Sequence, residues 1–296
     1  LTGPRTLREA LDAFRAFLDE RARRPRKSLG QNFLVDPNLL RAIVADAGIE
    51  KTDVVLEIGT GPGLLTLLLS REALRVVTVE KDPDVAAFAR DLLSPLSNVE
   101  LVEGDALLDK RHLSPRVRET LARALEDPDA RSARFVANLP YSVATPVLLA
   151  LLRELPEIPV LLAMVQRELG ERLVAAPGCR EYGPAAVIVH LLATGLLLRS
   201  VPPQVFWPRP KVESVILRLE RRDRPLREVS PPFERFLLDV FSQRRKRLRT
   251  VVGRMVSGRG PGKARAVLEP WLECRAEELA PERLGELFDV ISPLIS

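Results

Sequence analysis

The run Val54 to Ile58, apolar apart from Glu57, breaks into Gly59-Thr60-Gly61-Pro62-Gly63. A helical segment from Leu64 to Ser70 follows, then a second apolar strand, Val76 to Glu80. No other stretch constrains the fold as strongly. A glycine turn between strand and helix lets backbone approach a ligand closely and points a helix N-terminus at it. Glu80 lies 21 residues after Gly59, and an acid about 20 residues past such glycines is placed to accept both hydroxyls of a ribose.

The alternation continues along the chain. Helical patterns cover 83–94, 115–126, 142–154, 166–176 and 183–194; strand patterns cover 99–102, 134–138, 159–165, 196–201 and 213–220. With the first two strands this makes seven, which predicts an α/β fold with a doubly wound, mostly parallel seven-stranded sheet. Upstream, Leu7, Leu11, Phe14, Phe17 and Leu18 recur at helical spacing, giving an amphipathic helix over 6–24 that Pro25 ends. Gln31 to Leu34 reads as a loop, and Asp36-Pro37 opens a helix reaching about Gly48. Arg221 to Pro232 is charged and proline-rich, as a domain linker is. Beyond it only helical patterns remain, including a basic helix over 244–256. The expected division is an N-terminal helical extension (1–27), a sheet domain (28–222) and a small all-α domain (223–296).

The net charge of +5 is unevenly spread: residues 199–265 hold 18 Lys and Arg against 6 Asp and Glu. A second basic run, Arg21 to Lys27, lies near the N-terminus. Two basic segments around a near-acidic middle suit a polyanion, the alternative being a solvated arginine surface. No apolar run is long enough for a membrane span. Two cysteines are too few for a disulfide framework and favour a reducing cytoplasm. Two histidines without ligand spacing give no reason to expect a metal.

A second motif is Arg134 to Tyr141, a strand that stops on Asn138-Leu139-Pro140-Tyr141. Proline ends the strand in a rigid turn, at the sheet edge where such folds bind ligands. An amide that both donates and accepts, beside a flat ring, suits a planar heterocycle with an exocyclic amine. The competing reading makes Asn138 the cap of the helix from Ser142. Of the neighbouring aromatics Phe206 and Trp207, Phe206 is expected at the site and Trp207 in the core.

The loop is Gly-x-Gly-x-Gly rather than Gly-x-Gly-x-x-Gly, with Glu57 two residues ahead, a variant suited to S-adenosylmethionine, where no pyrophosphate needs cradling. Asp105, ending the third strand, would then meet the adenine amine of that cofactor; otherwise it is a cap or a turn acid. Gln31 to Leu34, Glu57 to Gly63, Asn138 to Tyr141, Phe206 to Ser214 and Phe241 to Lys246 occur in this order. Together they resemble the ribosomal RNA adenine N6,N6-dimethyltransferase family, most of all its bacterial small-subunit branch. Ser142, Glu213 and the Thr250-Val251 pair depart from the family pattern.

The resemblance implies a Rossmann-like methyltransferase sheet with a small helical RNA-binding domain. It implies S-adenosylmethionine as cofactor, bound by Asn32, Leu34, Gly59, Gly61, Glu80, Asp105 and Asn138. It makes Asn138, Leu139, Pro140, Tyr141 and Phe206 the catalytic set around a target adenine, and Lys211, Arg244, Arg245, Lys246 and Arg247 the RNA contacts. The implied partner is small-subunit ribosomal RNA or a precursor of that subunit, met by a monomer in the cytoplasm. Two other readings are a large-subunit methyltransferase of the resistance type and a nucleic-acid-binding relative without activity.

Overall fold

Helix starts are written locally in this chain. Asp36 and Asp82 each precede a proline, and their carboxylates accept the free amide hydrogens of Asn38 and Leu39, and of Asp84. Proline at the first helical position loses no bond, because that amide has no partner in the helix anyway. Ser230-Pro231 repeats the pattern, with the serine hydroxyl accepting the Phe233 amide, whereas Ser114-Pro115 keeps the proline without a side-chain cap bond.

The computed structural model describes residues 6–20, 31–255, 268–269 and 271–295; the basic run Arg21 to Lys27 lies outside them. The chain divides into two compact units, Leu1–Gly170 with Leu196–Glu220, and Glu171–Gly195 with Arg221–Ser296. The segment 171–195, read from sequence as part of the sheet domain, thus belongs to the second unit.

The first unit begins with α1 (Leu7–Glu20), β1 (Phe33–Leu34) and α2 (Pro37–Ala47). Next come β2 (Asp53–Ile58), α3 (Leu64–Glu72), β3 (Arg75–Glu80), α4 (Pro83–Leu93) and β4 (Val99–Glu103). Then follow α5 (Pro115–Leu125), β5 (Ser132–Asn138), α6 (Ala144–Glu154), β6 (Val160–Gln166) and α7 (Arg167–Val174). After α8 (Pro184–Leu192) come β7 (Ala193–Val201), β8 (Phe206–Trp207) and β9 (Ser214–Arg221). The seven-stranded sheet has the order β4-β3-β2-β5-β6-β9-β7. β2 pairs in parallel with β3 and β5, as do β3 with β4 and β5 with β6, while β9 runs antiparallel to β6. All six residues of β2 are buried, as expected of a central strand covered on both faces.

A second, two-stranded sheet pairs β1 with β8, Phe33 opposite Trp207 and Leu34 opposite Phe206. The expected loop at Gln31 to Leu34 is therefore partly strand. Two residues are too few to show a period of two, so no sequence pattern marks it.

The second unit packs α8 with α9 (Pro231–Ser242), α10 (Leu248–Met255) and α11 (Pro281–Ile295). Arg227 from the charged linker is forked onto Asp289 at 2.5 and 2.7 Å and lies over the rings of Phe233 and Phe288. The Tyr182 hydroxyl, fully buried, donates to the Leu279 carbonyl at 3.0 Å. The basic helix starts later than its composition suggests: residues 243–246 form a turn, and helix begins at Leu248. Among the described residues, no helix is long and apolar enough to cross a membrane.

One buried charge is tied across the sheet. Asp53, 1% exposed, receives the Arg134 guanidinium at 2.6 Å and the Glu50 amide at 2.9 Å. Arg134→Ala would strand that carboxylate, and breaking one side of a buried pair costs about 3–5 kcal/mol. Chemical denaturation should show a loss of that order; a loss below about 1 kcal/mol would mean that water reaches Asp53 and replaces the partner.

Candidate active site

The strand order reverses at β2 and β5: from β2 the chain proceeds outward through β3 and β4, then returns to add β5 on the other side. Connections that leave neighbouring parallel strands in opposite directions open a crevice at their carboxyl ends. A pocket lies there. Its walls are the glycine loop after β2, the end of β3, Gly104 to Leu107 after β4, the turn after β5, and Gln31 to Leu34. It brings together Asn32, Leu34, Gly59, Gly61, Glu80, Asp105, Asn138, Leu139, Pro140 and Tyr141.

Gly59, Gly61 and Gly63 all have positive φ, at 89°, 55° and 84°. Conformation is only part of the requirement. A Cβ on Gly59 would sit 3.1 Å from Pro140 Cδ, and one on Gly61 would sit 3.3 Å from the Phe33 ring. The glycine loop is thus closed on one side by the turn after β5 and on another by β1.

Three carboxyl groups face this space. Glu80 Oε2 accepts the Gly61 amide and Oε1 the Asp82 amide, both at 2.8 Å. Burial pushes its pKa above the usual carboxylate range, opposed by those two amides. Asp105 Oδ2 meets Lys81 Nζ at 2.6 Å, and Oδ1 accepts the Leu107 amide at 3.0 Å. Asp105 is therefore both a turn acid and a wall of the pocket. Glu57, 1% exposed, accepts hydroxyls from Thr66 at 2.6 Å and Thr78 at 2.7 Å through one oxygen, Oε2. Thr78 in turn meets Thr60 of the loop at 2.7 Å. Burial pushes the Glu57 carboxyl up to about 8, against the lowering effect of the threonines. Glu57 marked the loop type in the sequence, but its place in a buried chain of hydroxyls depends on contacts that no local spacing reveals.

The Asn138 amide nitrogen donates to the Asn32 carbonyl at 3.2 Å. A carbonyl only accepts, so the nitrogen end must face it, and this fixes which end is the oxygen. The cap reading is excluded: α6 begins at Ala144, Val143 holds the cap position, and no side chain caps it. The Leu139 amide donates to the Met164 carbonyl at 3.2 Å, anchoring the turn to β6. The Tyr141 hydroxyl is 2.7 Å from Ser214 Oγ, and burial raises the phenol's pKa. Ser214, fully buried at the start of β9, is a positioning contact that its separation of 73 residues hides.

Phe206 and Trp207 reverse their expected places. Phe206 is 3% exposed, packs in the hydrophobic core and does not line the pocket, whereas Trp207 is 41% exposed. Adjacent strand residues face opposite ways, and Phe206 is the one turned inward. Arg209 and Lys211, just beyond, are exposed and make no ion pair among the described residues.

The basic run of the second unit is not uniform. Arg244 is bound to Glu277 at 2.6 Å, and Arg247 pairs with Glu273, which also meets Arg249 at 3.0 Å. Arg245 and Lys246 are exposed, with no side-chain partner among the described residues.

This sheet order, with a glycine loop and an acid-lined crevice at the reversal, is the architecture of the Rossmann-like methyltransferases. The chain belongs to the ribosomal RNA adenine dimethylase family, which it matches over residues 22–268. It is 39% identical over 277 residues to the ribosomal RNA small subunit methyltransferase A of Rubrobacter xylanophilus, covering 93% of this chain and 98% of that one. A crystal structure of a dimethyladenosine transferase from Plasmodium falciparum superposes with a TM-score of 0.70 at 25% identity, covering 88% of this chain and 98% of that one. The 23S rRNA methyltransferase ErmE does so with a TM-score of 0.62 at 26% identity, covering 88% and 100%.

The family implies S-adenosylmethionine, and the donor set fits it. Among the described residues Lys81 is the only cationic side chain on the pocket wall, and it is held by Asp105. A site lined by carboxyls, with its one described cation neutralised by Asp105, offers acceptors to the free hydroxyls and amine of a nucleoside and does not suit a pyrophosphate.

Glu57 gives this unit a pH signature. Between the ordinary 4.5 and about 8 the folded chain holds a proton there that the unfolded chain has lost. Stability therefore falls as pH rises through that window, by up to about 1.4 kcal/mol per pH unit. Glu57→Gln cannot ionise and should flatten this part of the profile. Equal pH slopes for wild type and variant, read from denaturant midpoints, would remove Glu57 as its source.

Proposed function

We propose that the chain transfers methyl groups from S-adenosylmethionine to the N6 amine of adenines in small-subunit ribosomal RNA, giving N6,N6-dimethyladenosine. One observation carries the reading: Asn138 is held with its amide nitrogen on Asn32, at the edge of an acid-lined pocket. Its oxygen is then the end available to a substrate donor. The small-subunit assignment is supported by the names of the sequence relatives. Fold alone does not separate it from large-subunit enzymes, since ErmE shares the architecture. The Asn138 geometry favours a working enzyme over an inactive RNA-binding relative.

S-adenosylmethionine, when bound, would supply a methyl group from a positively charged sulfur that keeps the bonding electron pair. Glu80 holds the ribose hydroxyls, its carboxylate oriented by the Gly61 and Asp82 amides. Asp105 meets the adenine amine of the cofactor; Asn32 and Leu34 close the pocket from the β1 side. Gly59 and Gly61 let the backbone approach without a Cβ.

The target adenine reaches this site unstacked, at a cost of a few kcal/mol, with Tyr141 as the ring beside it. Its amine is a weak nucleophile because the lone pair is delocalised into the ring. The Asn138 Oδ1 and the Leu139 carbonyl accept its two hydrogens, and this draws the nitrogen toward a tetrahedral shape with its lone pair directed at the methyl. No base acts beforehand; the nitrogen becomes cationic on transfer and then loses a proton to water. In the second round the nitrogen carries one hydrogen, so one of the two acceptors is enough. Positioning and fixed dipoles supply the rate.

Lys211, Arg245 and Lys246 are the phosphate contacts, supported by exposure and the lack of competing acids. Arg244 and Arg247, already paired, serve the second unit's own structure first. The partner is the small ribosomal subunit or its precursor, and the chain acts as a monomer in the cytoplasm.

Asn138→Ala should lower single-turnover methylation, at saturating cofactor and RNA, by about 10²–10³-fold, as loss of one aligned transition-state partner does. RNA affinity, which rests on phosphate contacts, should stay nearly constant. Transfer within about threefold of wild type would remove Asn138 from the chemistry. Combining Arg245→Glu with Lys246→Glu should weaken RNA binding and reduce the slope of log K against log salt by about 0.7–0.9 for each phosphate no longer neutralised. An unchanged slope would make this run a solvated face.

A further inference from the structure

The helix α1 packs on α3 and puts two kinds of apolar side chain to use. Leu7, Ala10 and Leu11 join the main core with the leucines of α3. Phe14 and Leu18 form a separate cluster with Phe33 and Val85, against which Phe17 and Phe88 pack. A helix of 14 residues is marginal in water by itself, so these contacts are what hold α1 in place. None of these α1 side chains lines the pocket.

The second cluster leads directly to the pocket. Phe14, 1% exposed, meets Phe33 edge-on at 5.0 Å and 82°, and Phe88 of α4 at 5.2 Å. Both spacings lie in the range where aromatic pairs attract. The same Phe33 ring stands over Gly61, its Cδ1 3.3 Å from where a Cβ would be, and the Gly61 amide holds Glu80. Nearby, Gln31 donates to Asp82 at 2.9 Å, and Asp82 caps α4. Gln31 to Leu34 is therefore a strap across the pocket, pressed from outside by Phe14.

We propose that α1 is a brace for the cofactor pocket and that Phe14 is a positioning residue, holding Phe33 against the glycine loop. The proposal rests on the reading that S-adenosylmethionine occupies this pocket. With the ring removed, Phe33 can rock away from Gly61; the strap loosens and the cofactor leaves faster. The target adenine is met from the Asn138 side, so RNA binding is untouched. Two transfers to one nitrogen use two cofactor molecules, so cofactor exchange also bears on the ratio of monomethyl to dimethyl product.

The test is calorimetric titration of the full chain with S-adenosylmethionine, alongside steady-state methylation. Phe14→Ala should raise the cofactor Kd about tenfold, equivalent to about 1.4 kcal/mol, and raise the cofactor KM in parallel. The kcat at saturating cofactor and the KM for RNA should stay within about twofold, the pattern of lost uniform binding. Phe14→Leu keeps bulk but loses the ring edge; it should raise Kd about threefold, and it replaces the alanine variant if that does not fold. Leu7→Ala, at the far end of the same helix, should lower Tm comparably and leave Kd within about twofold. Folded Phe14 variants that bind as tightly as wild type would overturn the brace, as would an equal loss of affinity in Leu7→Ala. A wild-type chain that gives no binding heat would instead overturn the reading of the pocket, and the brace with it.

Discussion

The site depends on how closely two turns approach at the reversal of strand order. The ends of β2 and β5 are neighbours in the sheet, and the chain after each must turn away without colliding with the other. Gly59 and Pro140 solve this together. One has no side chain to obstruct, and the other has a rigid ring that fills the gap, with Pro140 Cδ 3.1 Å from where a Cβ would be. From this contact the other distances follow. The glycine loop presents the Gly61 amide to Glu80, and the turn after β5 brings Asn138 to the wall of the same pocket. The reactive geometry is thus set by packing within a rigid sheet, not by long loops.

The electrostatic character of the pocket is equally specific. Two of its acids, Glu57 and Glu80, are raised in pKa by burial and kept in place by neutral donors, hydroxyls for one and backbone amides for the other. Neutral donors orient a carboxyl and leave its other lone pairs free to accept from a ligand, where an arginine fork would occupy both oxygens. The chain is rich in arginine, and among the described residues the guanidinium groups lie off the pocket wall: on Asp53 at the start of β2, and on Asp289 and Glu277 in the helical unit. Of the carboxyls facing the pocket, Glu57 and Glu80 are held by groups that carry no charge, and Asp105 is paired with Lys81.

Much of this was legible because its signals are local. The glycines, the Asp-Pro helix starts and the run of alternating strands and helices each depend on residues a few positions apart, and the seven main strands lie where their patterns put them. The parts that were not legible depend on distant contacts. The pairing of Phe33 with Trp207 joins segments over 170 residues apart with only two residues on each side. Phe206 and Trp207 are both large and apolar, so composition cannot say which faces the core; that is decided by pairing with β1. The segment 171–195 sits within the run of sheet elements, yet its contacts, such as Tyr182 to Leu279, are with the C-terminal helices. Arg244 and Arg245 are equivalent as letters and differ only because Glu277 stands near one of them.

The bond from Asn138 to the Asn32 carbonyl makes the site directional in time as well as in space. An amide turned half a revolution has almost the same outline but offers hydrogens where an acceptor is required. Facing an incoming amine, it would meet donor with donor. What keeps the correct orientation is a carbonyl on another segment, and that segment also forms the cofactor wall. In the proposed reaction, seating the strap would do two things at once: enclose the cofactor and orient the amide that receives the target amine. On that reading the arrangement is an interlock: an Asn138 released from the Asn32 carbonyl could turn over and would no longer accept the amine.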